Sequence, residues 1–466
     1  MARSELDPSR ADITAMMTAA TSFVSDFLDG LPDAPASGET TVPARLHAPP
    51  TEGPGSFDAL LATVADAASR AVETAGGDYF AYFPAGGLFA SAVAELLAQT
   101  VNRFTAVGDM APGLVALEQS VLRWLCAEFG LPSGAGGLLT SGASTATLSA
   151  LLAARQRALG PRGDADTAWS DRLRVYVTEH THHCVAKAAR IAGLPAGAVR
   201  TVPTNGEHRM DPDAAREAVR RDRASGHHPL LLVGTAGATS TGTVDPLPDL
   251  ADLTRDENLW FHVDAAYGGG FQLTARGRRT LRGVERADSI TLDPHKSLFL
   301  QYGTGVLLVR NPATLHAAHA ADADYLQDLD HDDDLPDFAD LGVELTREFR
   351  GLRLWLPLHL HGVGAFRAAL DEKLDLAARA ERHLREFAEV PLRPDLTVLT
   401  FRVPGGDETN RRLLEWLNAT RRVFLSSTRV DGRYTPRLCV LSHRTRAEHV
   451  DRALGLIREG AETRPW

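Results

Sequence analysis

From about residue 80 to residue 310, short apolar runs alternate with helical patterns, and this alternation restricts the fold more than any other feature of the chain. Leu173-Arg174-Val175-Tyr176-Val177, Leu230-Leu231-Leu232-Val233 and Leu259-Trp260-Phe261-His262-Val263 read as strands, while Ser144 to Ala158 has helical spacing. Strands separated by helices pair in parallel, because each helix crosses over the sheet and buries its apolar face on it. The expected class is α/β with a mostly parallel central sheet, and in such sheets ligands gather beyond the carboxyl ends of the strands.

After Arg350 the pattern changes to two helical stretches, Leu352 to Leu360 and Val363 to Phe387, and then to short strands around Leu396 to Arg402 and Arg437 to Leu441. This predicts a smaller α+β C-terminal domain. Ahead of the alternating region, Ile13, Met16, Met17, Ala20, Phe23 and Phe27 recur at helical spacing within Ala11 to Asp29. Leu31 to Gly55 is rich in Pro, Gly and Thr and reads as an extended connection suited to wrapping a partner subunit. Three units are expected: an arm and extended segment over 1–78, a large domain over 79–350 and a small domain over 351–466.

Composition narrows the function. A chain of 466 residues, 44% of them hydrophobic, can bury a large core. Its formal charge of −11 opposes non-specific attachment to nucleic acid or an anionic membrane, so a small-molecule substrate is the default. No stretch approaches the roughly 20 apolar residues of a membrane span, and Met1 to Asp7 lack an apolar signal core, which predicts a cytoplasmic protein. Cys126, Cys184 and Cys439 are widely spaced and odd in number, so they predict buried small hydrophobes rather than disulfides or a metal site.

The chemistry concentrates in two strand ends. His262-Val263-Asp264-Ala265-Ala266-Tyr267-Gly268 closes one strand with an acid, and Asp293-Pro294-His295-Lys296 follows the next with a lysine. Alone, Asp264 is an ordinary strand-end turn residue and Lys296 an ordinary surface lysine. Together they are the pair that pyridoxal chemistry needs: an amine to form the internal aldimine, and a carboxylate to keep the pyridine nitrogen protonated. Thr140-Ser141-Gly142-Ala143-Ser144-Thr145 opens a helix with small and hydroxyl residues, which suits a phosphate dianion, although an N-cap without a ligand has the same appearance. In Glu179-His180-Thr181-His182-His183-Cys184 one histidine is placed to stack on a ring; adjacent residues cannot all converge on one metal ion, so no metal is expected.

These strings, with Tyr79-Phe80-Ala81-Tyr82-Phe83-Pro84, Glu348-Phe349-Arg350-Gly351-Leu352-Arg353-Leu354-Trp355 and Tyr434 to Ser442, resemble the group II pyridoxal-phosphate decarboxylases over roughly residues 45 to 460. That group includes the aromatic-L-amino-acid and glutamate decarboxylases. The resemblance implies the aspartate-aminotransferase fold, fold type I of the PLP-dependent transferases, with pyridoxal 5'-phosphate as cofactor. It also implies a homodimer with shared active sites. Residue by residue it makes Lys296 the cofactor lysine, Asp264 the pyridinium partner and His182 the ring-stacking histidine and second catalytic group. It sets Ala143, Ser144 and His295 at the phosphate, and Thr235 and Ala266 along the ring.

The implied reaction is decarboxylation of an L-amino acid to an amine and CO2. An aromatic or bulky apolar substrate is expected, because Tyr79, Phe80, Tyr82 and Phe83 could wall the pocket. Three positions depart from the pattern. Phe338, in Leu335 to Asp340, stands where relatives carry a proton-donating tyrosine on a mobile loop, and a phenyl ring has no proton to give. Tyr325, His182 or a water would then donate, or the outcome would be an oxygen-consuming aldehyde synthesis or another PLP reaction. Gly108 stands where similar sequences carry an aromatic, and Ser297 where many carry tryptophan, which predicts a roomier or more polar pocket. An inactive cofactor-binding relative is the remote alternative. The acidic run Asp328 to Asp334 lacks the glycine and the glutamate of a calcium loop and predicts a solvated loop, and Arg437 is expected to hold a carboxylate or, in preference, to form an internal ion pair.

Overall fold

The computed structural model describes residues 6–39, 41–160, 167–320 and 335–464. Tyr325 and the acidic run Asp328 to Asp334 lie outside the described residues. Seven strands, β1 (Gly136–Thr140), β2 (Leu173–Val177), β3 (Val199–Thr201), β4 (His228–Thr235), β5 (Trp260–Asp264), β6 (Ser289–Leu292) and β7 (Gly305–Val309), form one sheet in the order β1-β7-β6-β5-β4-β2-β3. The run from β3 to β6 is parallel throughout, whereas β7 pairs antiparallel with both β6 and β1. A parallel return needs a crossover helix. The connection from β6 to β7 holds only the short helical turn Pro294–Ser297, so the chain comes back alongside β6. That exception leaves Lys296 on a tight turn at the carboxyl end of β6.

Strands β2 and β5 are buried along their whole length, as continuous apolar runs in a sheet covered on both faces should be. A second sheet, in the order β8-β10-β9, comprises β8 (Val398–Thr400), β9 (Ser426–Val430) and β10 (Arg433–Cys439). The two expected C-terminal helical stretches form one long element, Gly351–Leu384, interrupted at Gly362, whose φ of 73° is a left-handed value that glycine adopts without strain. The first part of this helix packs Leu354, Leu358, Phe366 and Leu370 into the core of the large sheet. Its end packs Ala377, Ala380 and Leu384 into the core of the small one.

The amino-terminal helix α1 (Arg10–Gly30) starts at Ser9, whose hydroxyl accepts from Asp12 N while its own N–H donates to the Asp12 carboxylate. No residue of α1 is buried, and Ile13, Met16, Met17 and Phe27 are exposed. The three cysteines are free and buried. Among the described residues no helix is long and apolar enough to cross a membrane.

Candidate active site

Beyond the carboxyl ends of β4, β5 and β6, a cavity of about 320 Å³ is lined by Ala143, Ser144, His182, Thr235, Asp264, Ala266, His295 and Lys296 together with Phe83. All eight residues expected at the cofactor therefore meet in one place. Each arrives by a strand end: Thr235 closes β4, Asp264 closes β5, and Lys296 sits on the turn after β6. The helix Ala143–Leu159 starts at the same level, because Gly142 and Gly305 allow its first turn to lie against β7. A Cβ on Gly305 would stand 2.5 Å from Gly142 Cα.

Hydrogen bonds orient these groups. Asp264 is 6% exposed, and its Oδ1 accepts from Ala266 N at 3.1 Å. His182 Nδ1 accepts from Cys184 N at 3.2 Å, which leaves its proton on Nε2. Burial is the main force holding the His182 imidazole below its usual range, with the positive charge of Lys296 adding to it, so the ring is uncharged at neutral pH. His295 Nδ1 donates to Thr304 O at 2.7 Å, and that bond frees Nε2. Thr235 N donates to Asp245 Oδ2 at 2.8 Å; burial pushes this carboxyl up to about 6 against the N–H groups of Met210 and Thr235.

The sequence reading gave Asp293 no role, yet its Oδ2 is 2.8 Å from Lys296 Nζ and its Oδ1 accepts from Ala143 N at 2.8 Å. Its one local signal is an acid immediately before Pro-His-Lys, and spacing does not reveal which neighbours such an acid meets. Ser141 and Thr145 of the hydroxyl-rich helix start also line the cavity, as do Gly237, Thr239 and Tyr267, to which the sequence assigned no place in the site.

Within the single chain, several of the other expected residues lie outside this cavity. Of the aromatic run only Phe83 reaches the cavity: Tyr79 stacks on Phe424 at 5.9 Å, Phe80 is fully buried in the core of the small sheet, and Tyr82 is 66% exposed. Gly108 lies elsewhere, donating its N–H to Asp337 Oδ1 at 2.7 Å. Phe338 is not on an open loop. It is 1% exposed, begins a helical turn, and carries the Arg347 guanidinium over its ring at 4.7 Å. Ser297 does not enlarge the cavity, because its buried hydroxyl turns away to accept from Gly270 N at 3.0 Å. Arg437 has no acidic partner among the described residues; it donates to Tyr82 O at 2.7 Å and stacks on Phe83 at 4.7 Å. His180 is bonded to His208 at 2.9 Å, and His183 is exposed.

The donor set suits a phosphorylated heteroaromatic aldehyde. An amine and a carboxylate face one cavity, hydroxyl groups cluster at a helix start, and the buried Thr235 Oγ1 has no hydrogen-bond partner among the described residues. The volume matches a small-molecule site.

The pyridoxal-dependent decarboxylase conserved domain matches residues 45–403. An aromatic-L-amino-acid decarboxylase from Bacillus atrophaeus is 33% identical over 82% of this chain and 81% of its own length. Among solved structures, Oryza sativa TDC with PLP and tryptamine superposes with a TM-score of 0.93 at 29% identity, covering 99% of this chain and all of that one. The 4-hydroxyphenylacetaldehyde synthase of Rhodiola rosea gives 0.90 at 26% identity over 98% of this chain and 99% of that one.

Proposed function

Because the chain belongs to the pyridoxal-dependent decarboxylase family, we propose that it removes the α-carboxylate of an aromatic L-amino acid as CO2 and releases the corresponding amine. The enzyme uses pyridoxal 5'-phosphate, which, once joined to the substrate nitrogen, supplies a conjugated sink for the electron pair left at the α-carbon. Lys296 holds the cofactor between turnovers and yields to the substrate amine. Asp264 keeps a proton on the ring nitrogen, and the uncharged His182 covers a ring face and excludes water. Ala143 and Ser144 at the helix start, with His295, hold the phosphate; Thr235 and Ala266 flank the ring.

The observation that carries this reading is the convergence of Lys296 and Asp264 on one cavity beside a helix start. An aromatic substrate is supported by the Phe83 and Tyr267 rings, stacked 4.4 Å apart at the cavity wall, and by the named specificity of the Bacillus relative. A homodimer is supported by the exposed apolar side chains of α1 and of Tyr82, Met110, Leu345 and Leu360, which a second copy would cover. Three free cysteines fit a reducing cytoplasm.

One observation favours a second outcome: at position 338 a phenyl ring stands in the segment where the resemblance sets the proton-donating tyrosine. Aldehyde formation would convert the amino acid, O2 and water into aldehyde, CO2, ammonia and hydrogen peroxide. Incubation of the holoenzyme with each of the twenty amino acids, with mass detection of amines and aldehydes and an oxygen electrode, separates the two. Amine without oxygen uptake supports decarboxylation; aldehyde with stoichiometric peroxide overturns it.

A further inference from the structure

A buried carboxylate that touches both the lysine and the helix start stands apart from the groups assigned to the reaction. Asp293 is 2% exposed, and its two oxygens serve different elements: Oδ2 faces Lys296 Nζ and Oδ1 takes the first amide of the helix Ala143–Leu159, each at 2.8 Å. Resting on the reading of Lys296 as the cofactor lysine, we propose that Asp293 is the counter-ion of Lys296 whenever that amine is free, a positioning residue that ties the seat of the lysine to the seat of the phosphate.

The surroundings of Nζ make this partner necessary. Arg437, from β10, is a fixed buried cation on the Phe83 ring at 4.7 Å, and Lys296 Nζ lies 5.4 Å from the same ring. His182, from the segment after β2, is uncharged, and His295, on the lysine's own turn, commits Nδ1 to Thr304 O. Of the two acids at the cavity, Asp264 at the end of β5 is required by the ring nitrogen. Among the described residues Asp293 alone is within ion-pairing distance of Lys296 Nζ.

The role appears at the exchange step. When the substrate amine took its place on the cofactor, Lys296 would be released as a neutral amine within 2.8 Å of Asp293. On taking a proton from water it becomes an ammonium, which Asp293 neutralises and holds. An ammonium has no lone pair, so Lys296 kept there neither re-attacks nor strips the proton from the α-carbon. Loss of the carboxylate then proceeds without competition from proton removal by the lysine.

The test is acetylation of the cofactor-free protein by an N-hydroxysuccinimide ester at pH 8, with the rate at Lys296 read by peptide mass mapping against exposed Lys187. Asp293→Asn keeps an acceptor for Ala143 N but removes the charge. Lys296 should then label about tenfold faster, since the amine loses the opposite charge that holds it as an unreactive ammonium. Asp293→Glu should restore slow labelling, and Asp293→Ser replaces the asparagine variant if that one fails to fold. Equal rates in the wild type and the charge-free variant overturn the proposal. Borohydride reduction of the wild-type holoenzyme separates the two layers: a label away from Lys296 overturns both readings, whereas a label on Lys296 with unchanged acetylation overturns only the role of Asp293.

Discussion

Arg347 Nη2 and Glu118 Oε1 form an ion pair at 2.5 Å with 1% and 0% of their side chains exposed, and the same guanidinium caps the ring of Phe338. The pair joins the helix Pro112–Glu128 to the segment that leads into the long helix. Arg347 also donates to Leu139 O, at the end of β1 beside the cavity. Removing one partner strands the other charge out of water, at a cost of about 3–5 kcal/mol. Glu118→Ala should therefore lower the urea midpoint of unfolding strongly. A loss below about 1 kcal/mol would show that the site relaxes to admit water.

Phe338→Tyr bears on both stability and chemistry. The ring is enclosed, so a hydroxyl left without a partner there should cost about 1–3 kcal/mol. If position 338 governs the final proton, the amine fraction of the product rises in this variant. An unchanged ratio of amine to aldehyde, measured by mass spectrometry, removes the residue from that role.

Lys296→Ala should abolish borohydride-stable cofactor attachment and nearly all turnover. Asp264→Asn should leave the cofactor attached while kcat falls by about 10²–10³-fold, the scale of losing one electrostatic contact to the reacting system. Wild-type kcat in Asp264→Asn would place the ring nitrogen away from this carboxylate.

Acid should destabilise the cofactor-free protein well before the carboxylates titrate. Burial holds His262 down to about 4 and His443 down to about 3, whereas an unfolded histidine titrates near 6.5. Below about pH 6.5 the unfolded chain thus binds more protons, and stability falls as the pH drops. Asp245 acts in the opposite sense between its unfolded value near 3.9 and about 6, because its folded carboxyl keeps a proton longer. Two histidines outweigh one aspartate, so unfolding free energy should drop by roughly 2–3 kcal/mol from pH 7 to pH 5. His443→Leu should flatten that slope, and a urea midpoint constant over this range would contradict the assignment of both histidines as buried and neutral.

What was legible in the amino-acid order was whatever depends on short stretches of chain. The alternation of strands and helices set the parallel sheet, and strand-end strings put Asp264 and Lys296 beyond its carboxyl edge, because a residue that follows a buried strand has few places to go. The hydroxyl-rich helix start and His182 were readable for the same reason.

Choices between faces and partners were settled only by packing. Phe80 and Phe83 are near neighbours in sequence, yet one enters the core of the small sheet and the other the cavity wall. Arg437 found a carbonyl and a ring instead of an acid, Phe338 went under Arg347, and Asp293 took both the lysine and a helix amide. The contacts of Arg437 with Tyr82 and Phe83 and of Asp293 with Ala143 join residues far apart in the chain, where local periodicity carries no information. Which of them forms follows from how the two cores close around the long helix Gly351–Leu384.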